Sequence, residues 1–566
     1  MQEVLKRLLR EPRRFIDIFF ATFFMHLMGF AVILYSILVF NTYLPYGVTA
    51  TLTALTLGCL LGLLIEFHFK GIRNSLMRKY YQDVVEKIAE GFFKKIMILP
   101  YEEIERSMNL LRNQAIDSIL HLLRPSLTTA TLLLLDIPFA FLFLLLLFLI
   151  HPILGLVSVI FILISSGFAL YSRKKMAMTQ LDARLSEQQL LNLYRAATEG
   201  VQTSRYTGQM SYIEADWSTS LKRIVQNSTA SFQLETEAQR IPAFVIGVQS
   251  VLITAIGAIL VFDGRISIGG LVGSNLLAAK VMVPVISFFT QFESFNKIDD
   301  SIRCLREIEQ LSEERGNNTK FRGLSGSLSA REITYRYYRA PNLALEAISI
   351  EIQKNDIAVI TGDSGSGKST LLQILAGLRS PLDGAVYVEG VNLQQISKTW
   401  WRTNISYLPQ DPTLTNGTLY QNLVSADYQP DEGELDRAIF DADLSDWFGA
   451  LPDGLDHMIT DLGRTLSPGL RKKITLARLY LRKSKIYFLD EPCFSLDLNG
   501  RKKLIARLNQ FHDAGATLVL VSQDSEILSG ASILVNCGLD IQHRVFRARI
   551  YDKATTFKDV SGPQKT

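Results

Sequence analysis

The chain has 566 residues, 48% hydrophobic and 20% charged, with a formal net charge of +4. That length is too great for one typical domain, and the basic residues gather beside apolar runs rather than along one stripe, which counts against nucleic-acid binding. The four cysteines (Cys59, Cys304, Cys493 and Cys537) have neither metal-ligand spacing nor a disulfide framework, which suits a reducing compartment.

The chain opens with a basic N-terminal segment, residues 1–16, containing MQEVLKRLLREPRR. The apolar stretch after it is too long for a signal-peptide core and lacks a small-residue cleavage site, so it reads as a retained span. A membrane-crossing helix needs about 20 mostly apolar residues. Six stretches qualify, roughly 17–40, 47–69, 127–149, 152–171, 242–262 and 266–289, within a membrane region over 17–315. The competing account is a set of buried helices in a soluble protein. Runs such as TLLLLDIPFAFLFLLLLFLI, apolar on every face, argue against it.

Basic flanks orient the spans. Lys6, Arg7, Arg10, Arg13 and Arg14 precede the first, and Lys70, Arg73, Arg78 and Lys79 follow the second. The connection NTYLPYG between them has neither Lys nor Arg, and Arg173, Lys174 and Lys175 follow the fourth span. The positive-inside rule then predicts a multi-pass protein of the cytoplasmic membrane with both termini cytoplasmic. Two polar segments, roughly 70–125 and 172–240, face the cytoplasm and read as inward continuations of the membrane helices. Asp136 and Lys280 are expensive in lipid, so each either lines a polar path or pairs between helices. Pro138, Pro242 and Pro284 read as tolerated kinks.

After the last span, a charged helical stretch from Asp299 to Arg315 leads to a polar linker at 316–326. A second domain is predicted over 327–545, followed by a tail over 546–566. Its landmark is GDSGSGKST: Gly362, Asp363, Ser364, Gly365, Ser366, Gly367, Lys368, Ser369 and Thr370. The strand-like IAVI precedes it and the helical LLQILAGL follows, the context a phosphate-binding loop requires. Its backbone N–H groups can close around phosphates, Lys368 can reach the β- and γ-phosphates, and Ser369 can ligate Mg²⁺. Downstream, KIYFLDEP is a strand ending in Asp490 and Glu491. The first carboxylate suits the Mg²⁺ shell, and the second suits orienting the attacking water.

From about 327 to 545 the sequence resembles the ATP-binding cassette of the ABC transporter superfamily. The resemblance implies that Tyr337, in ITYRYY, stacks on adenine. It also implies that Gln410, in YLPQDPTLTNGTLYQNL, joins the Mg²⁺ shell, and that SLD (Ser495 to Asp497) is the D-loop. DLGRTLSPGLRKKITLAR stands at the signature helix, where Ser467 and Gly469 would face the ATP of an opposite subunit. The membrane half, with LLDIPFAFLFLLLLFLIHPILG and RISIGGLVGSNLLAAKVMVPV, resembles type I secretion permease–ATPases, and LPYEEIERSMNLLRNQAI fits their first cytoplasmic segment loosely. With so short a segment before the first span, the leader-peptidase domain that some members of that family carry is not expected here. The implied fold is an all-α polytopic membrane domain of six helices followed by an α/β P-loop cassette.

Two motifs depart from the family pattern. LSGGQ is replaced by Leu466-Ser467-Pro468-Gly469-Leu470, and proline has no N–H to offer phosphate. The switch histidine is replaced by Gln523, whose amide can hydrogen-bond phosphate but cannot carry a proton. The resulting expectation is a dimeric exporter with slow hydrolysis of ATP, assisted by Glu491 and Gln523. Its implied partners are a second half-transporter, a periplasmic adaptor with an outer-membrane channel, and a polypeptide cargo. The alternative is the regulatory half of a heterodimeric peptide or lipid exporter.

Overall fold

The computed structural model describes residues 12–108, 110–123, 125–290, 292–314, 319–321, 323–425, 428–540 and 545–552. Lys6, Arg7 and Arg10, parts of the predicted linker, and the tail from 553 lie outside the described residues. The chain divides into two compact units. One comprises Met1–Lys95 with Asn109–Gln310, the other Ile96–Met108 with Leu311–Thr566.

The first unit is helical. Among the described residues six helices are long and apolar enough to cross a membrane: Pro12–Tyr46, Thr49–Met97, Thr131–Ile150, Pro152–Tyr171, Arg240–Phe262 and Ile268–Phe288. We label α1 (Pro12–Gly29), α2 (Thr49–Met97), α3 (Tyr101–Arg106), α4 (Pro125–Ile150), α5 (Pro152–Glu199), α6 (Met210–Phe262) and α7 (Ile268–Thr290). Helices α2, α5 and α6 have 49, 48 and 53 residues. At 1.5 Å per residue that is about 70–80 Å, more than twice the thickness of a bilayer core. Much of the two polar segments therefore continues these membrane helices, as expected from the sequence. Pro152 sits at the start of α5, where its missing N–H costs nothing, and His151 Nδ1 accepts from Ile153 N at 3.3 Å to cap the turn. A side chain at Gly269 would lie 2.4 Å from Ile37 O, so this glycine lets α7 approach the first span closely.

Several buried polar residues of this unit are paired across helices. Asp136 on α4 accepts from Arg73 Nη1 on α2 at 2.6 Å, and His26 Nε2 on α1 lies 3.0 Å from the same oxygen. Arg73, read as a flanking charge, is instead 6% exposed and turned inward. The sequence reading missed this because charge counting says nothing about which helix face a residue occupies. Lys280 is 3.8 Å from Glu66 and partly exposed. Gln249 Nε2 donates to Ser158 Oγ at 3.0 Å.

The second unit is built on two main sheets, beside a short antiparallel pairing of Gly417–Thr418 with Met458–Ile459. The strands of the main sheets are β1 (Leu328–Tyr335), β2 (Leu345–Ile352), β3 (Ile357–Gly362), β4 (Asp383–Val388), β5 (Val391–Asn392), β6 (Ile405–Leu408), β7 (Ile486–Asp490), β8 (Thr517–Val521), β9 (Ile533–Asp540) and β10 (Val545–Asp552). An antiparallel sheet runs β2-β1-β4-β5, and a larger sheet runs β10-β9-β3-β8-β7-β6. In the larger sheet all neighbours are parallel except β9 and β10. Every residue of IYFLD in β7 and TLVLV in β8 is buried, as a parallel sheet covered on both faces demands. Alternation along β8 feeds two cores. Val519 and Val521 join Ile360, Leu371 and Phe488 on one face, and Leu518 and Leu520 join Leu408, Ile474 and Leu489 on the other. Val521 pairs with both Ile360 and Asp490, so the carboxyl ends of β3, β8 and β7 lie side by side. Ligands of open α/β sheets bind at such an edge.

Candidate nucleotide site

The loop after β3 is shaped by its glycines. Gly362 has φ +138°, and a Cβ there would lie 2.1 Å from Cys537 O. Gly367 has φ +82° and caps helix α8 (Lys368–Leu375), where a Cβ would meet Leu345 Cδ2 at 2.7 Å. Neither position tolerates a side chain. Asp363, Ser364 and Gly365 form the exposed bend, and Ser366 is buried. Ser366 Oγ has no hydrogen-bond partner among the described residues. Lys368 Nζ donates back to Gly362 O at 2.9 Å and Asp363 O at 2.6 Å, which holds its charge beneath the bend. The start of α8 adds N–H groups and favourable field for an anion.

Across the sheet edge, Ser369 Oγ donates to Asp490 Oδ1 at 3.0 Å. Burial pushes the Asp490 carboxyl above the ordinary carboxylate range, offset by the Ser369 bond and by Lys472 and Lys368. Glu491 follows with φ +42°, a left-handed conformation that is strained for a glutamate and of the kind stored at functional sites. Gln410 Nε2 donates to Glu491 Oε2 at 3.2 Å, joining the loop after β6 to the end of β7. Gln523 Nε2 donates to Gly362 O at 2.8 Å. Phosphate-loop residues, two carboxylates and two glutamines thus converge at one place.

These residues fit Mg²⁺-ATP. An unpartnered buried hydroxyl, a lysine ammonium and a helix start suit phosphate. Ser369 and Asp490 supply hard oxygens for a cation that keeps phosphate and water in its own shell. Among the described residues no group of three His, Cys, Asp or Glu gathers that would hold a metal by itself.

Tyr337 lies just beyond β1, on the polar rim. Its hydroxyl is 2.6 Å from Thr370 Oγ1, and its ring carries the Arg379 guanidinium 4.9 Å from the centroid. Arg379 is a residue the sequence reading missed. It also faces the rings of Tyr101 and Tyr335, donates to Gln373 and to the Tyr335 hydroxyl, and grips both carboxylate oxygens of Glu105 at 2.8 and 3.3 Å. Glu105 belongs to α3, a single short helix that belongs to this unit although the flanking helices of the chain belong to the other. Nothing in LPYEEIER announces that placement, because six residues carry too little periodicity to show which surface they meet.

The signature segment starts helix α9 (Pro468–Leu481). Ser467 is its N-cap, accepting from Leu470 N at 3.2 Å, and Pro468 takes the first helical position. Pro468 therefore leaves the local helix start intact. A Cβ at Gly469 would lie 2.7 Å from Ser495 O, so this turn packs directly on the segment after Glu491.

Residues 345–494 match the family described as "ABC transporter", and residues 15–285 match its "ABC transporter transmembrane region". The chain belongs to the ABC transporter superfamily. This ABC transporter is similar to the toxin RTX-I translocation ATP-binding protein of Actinobacillus pleuropneumoniae. They are 23% identical over 529 residues, covering 92% of this chain and 74% of the relative. The alpha-hemolysin translocation ATP-binding protein HlyB of Proteus vulgaris matches with the same identity and coverage. The fold is that of a bacterial Atm1-family ABC exporter solved with ATP bound. The TM-score is 0.80 at 18% identity, over 93% of this chain and 94% of the other. The chain is thus an ABC exporter in fold, with six membrane-spanning candidates and an ATPase domain.

Proposed function

We propose that this chain exports a polypeptide across the cytoplasmic membrane by type I secretion, as a dimer that binds and hydrolyses ATP. The observation that carries the ATPase half of this reading is the Ser369–Asp490–Glu491–Gln410 array beside the phosphate loop, at the carboxyl ends of adjacent parallel strands. The similarity to toxin translocation proteins over 92% of the chain supports the polypeptide cargo. In this reading the loop from Gly362 to Thr370 cradles phosphate, Lys368 neutralises it, and Tyr337 stacks on adenine. Ser369, Asp490 and Gln410 would hold Mg²⁺, which lends charge stabilisation to phosphoryl transfer. Glu491 orients and polarises the attacking water. Ser467 and Gly469 face the nucleotide of the opposite subunit. A periplasmic adaptor and an outer-membrane channel complete the path.

The decisive test is genetic and biochemical together. Deleting the gene is expected to remove a polypeptide from the culture medium, and the wild-type gene to restore it. Lys368→Ala is expected to insert in the membrane normally yet restore nothing and hydrolyse no ATP. Export sustained by that variant would show that the loop is not the energy source.

Both termini are placed in the cytoplasm on the Lys/Arg asymmetry. Single cysteines introduced at 41–47 are then expected to react with an impermeant maleimide on intact cells, and cysteines near Arg173 to react only after permeabilisation. The reverse pattern would overturn the orientation.

A second reading, an ATP-binding regulatory half of a heterodimer with weak hydrolysis, is favoured by Pro468 and Gln523. The first has no amide to give, and the second holds Gly362 O at 2.8 Å without a titratable nitrogen.

A further inference from the structure

Helix α9 carries, five residues after Ser467, a lysine that no part of the reading above employs. Lys472 is 1% exposed. Its ammonium donates to three backbone carbonyls: Pro409 O at 3.1 Å, Gln410 O at 3.2 Å and Asp490 O at 3.2 Å. Three acceptors match the three N–H bonds of an ammonium and leave no room for a lone pair. The acceptors lie on the loop that presents Gln410 and at the end of the strand that presents Asp490 and Glu491. The donor stands on the helix whose first turn holds Ser467, Pro468 and Gly469.

We propose that Lys472 is a positioning residue for ATP hydrolysis: its ammonium ties the signature helix to the Gln410 loop and to the Asp490–Glu491 corner. The inference rests on the nucleotide-site reading above and extends it. The end of the chain that faces the opposite subunit's ATP and the end that serves its own ATP then shift together, and the two sites sense one another through one buried cation.

The test uses the full-length chain in lipid nanodiscs, comparing wild type with Lys472→Met, which removes every donor, and Lys472→Gln, which restores two. At about pH 7, hydrogen exchange of the amides around Gln410 is expected to be about tenfold faster in Lys472→Met and intermediate in Lys472→Gln. Steady-state ATPase is expected to show kcat about tenfold lower in Lys472→Met and intermediate in Lys472→Gln, with KM for ATP within about twofold of wild type, a split that mere loss of folded protein would not produce for stably folded variants. Equal exchange and equal kcat in wild type and Lys472→Met would overturn the proposal. Should Lys472→Met not fold, Lys472→Gln supports the same comparison. The exchange measurement needs no turnover, so it decides the tie even if a Glu491→Gln control shows the residual ATPase to be foreign, an outcome that would strike the hydrolytic reading instead.

Discussion

Replacing Asp136 by Ala is expected to destabilise the helical unit by about 3–5 kcal/mol, the usual consequence of stripping a buried cation of its counter-charge. The cation is Arg73. Its Nη1 lies 2.6 Å from Asp136 Oδ1, the two side chains are 8% and 12% exposed, and its Nε has no partner among the described residues. His26 adds a third helix to the cluster, with its ring on the same carboxylate oxygen and stacked 4.5 Å from Phe139. Loss of the carboxylate leaves a guanidinium facing apolar side chains at the level of a membrane span, where isolated charge is costly. Asp136→Asn keeps an acceptor and is expected to lose less. Arg73→Met with Asp136→Leu removes both charges and is expected to recover most of the stability, because a buried pair replaced by apolar volume is close to neutral. Thermal unfolding of wild type and the three variants in detergent checks the series. If Asp136→Ala unfolds with wild type, the cluster is screened by water and contributes nothing to holding α1, α2 and α4 together.

What the sequence made legible, and what it hid, divides along physical lines. The membrane spans were legible because lipid demands long apolar runs, and the strands IYFLD and TLVLV because a sheet buried on both faces demands the same of short ones. GDSGSGKST was legible because two of its glycines stand where a Cβ would clash and its lysine must follow a strand. Pairings between distant residues were not legible. Arg73 reads as one of four basic residues after a span, and only the packing of α2 turns it toward Asp136. Lys472 sits in RKK, which reads as the solvated face of a helix, yet only Lys473 of the two lysines reaches a polar margin, bonded to Asp443 and Asp497. Arg379 and Glu105 lie 274 residues apart, and no periodicity in either neighbourhood points to the other.

The largest gain of activity expected at the nucleotide site comes from reversing two departures from the family pattern, at Gln523 and Pro468. Gln523 Nε2 is already engaged with Gly362 O, and an amide cannot accept charge when the attacking water loses its proton to Glu491. Pro468 occupies the first position of α9, and the next cap interaction, Ser467 Oγ with Leu470 N, consumes a further amide of that turn. In the proposed dimer Gly469 would be left as the principal backbone donor toward the opposite nucleotide. A homodimer suffers both defects at each of its two sites. In a heterodimer they separate: this chain's own phosphate loop lacks only the histidine, and the partner's loop receives only the poor signature. The purified chain alone is therefore expected to hydrolyse ATP slowly, and Gln523→His with Pro468→Gly to accelerate it by about tenfold or more, equivalent to roughly 1.4 kcal/mol of barrier. Each single variant should give part of the gain, with Glu491→Gln as the inactive control. Steady-state ATPase on the five proteins decides it. A wild type that already turns over as fast as the double variant would mean that Gln523 and Pro468 are neutral replacements, and that the case for an impaired site, and with it for a regulatory half, has no chemical basis.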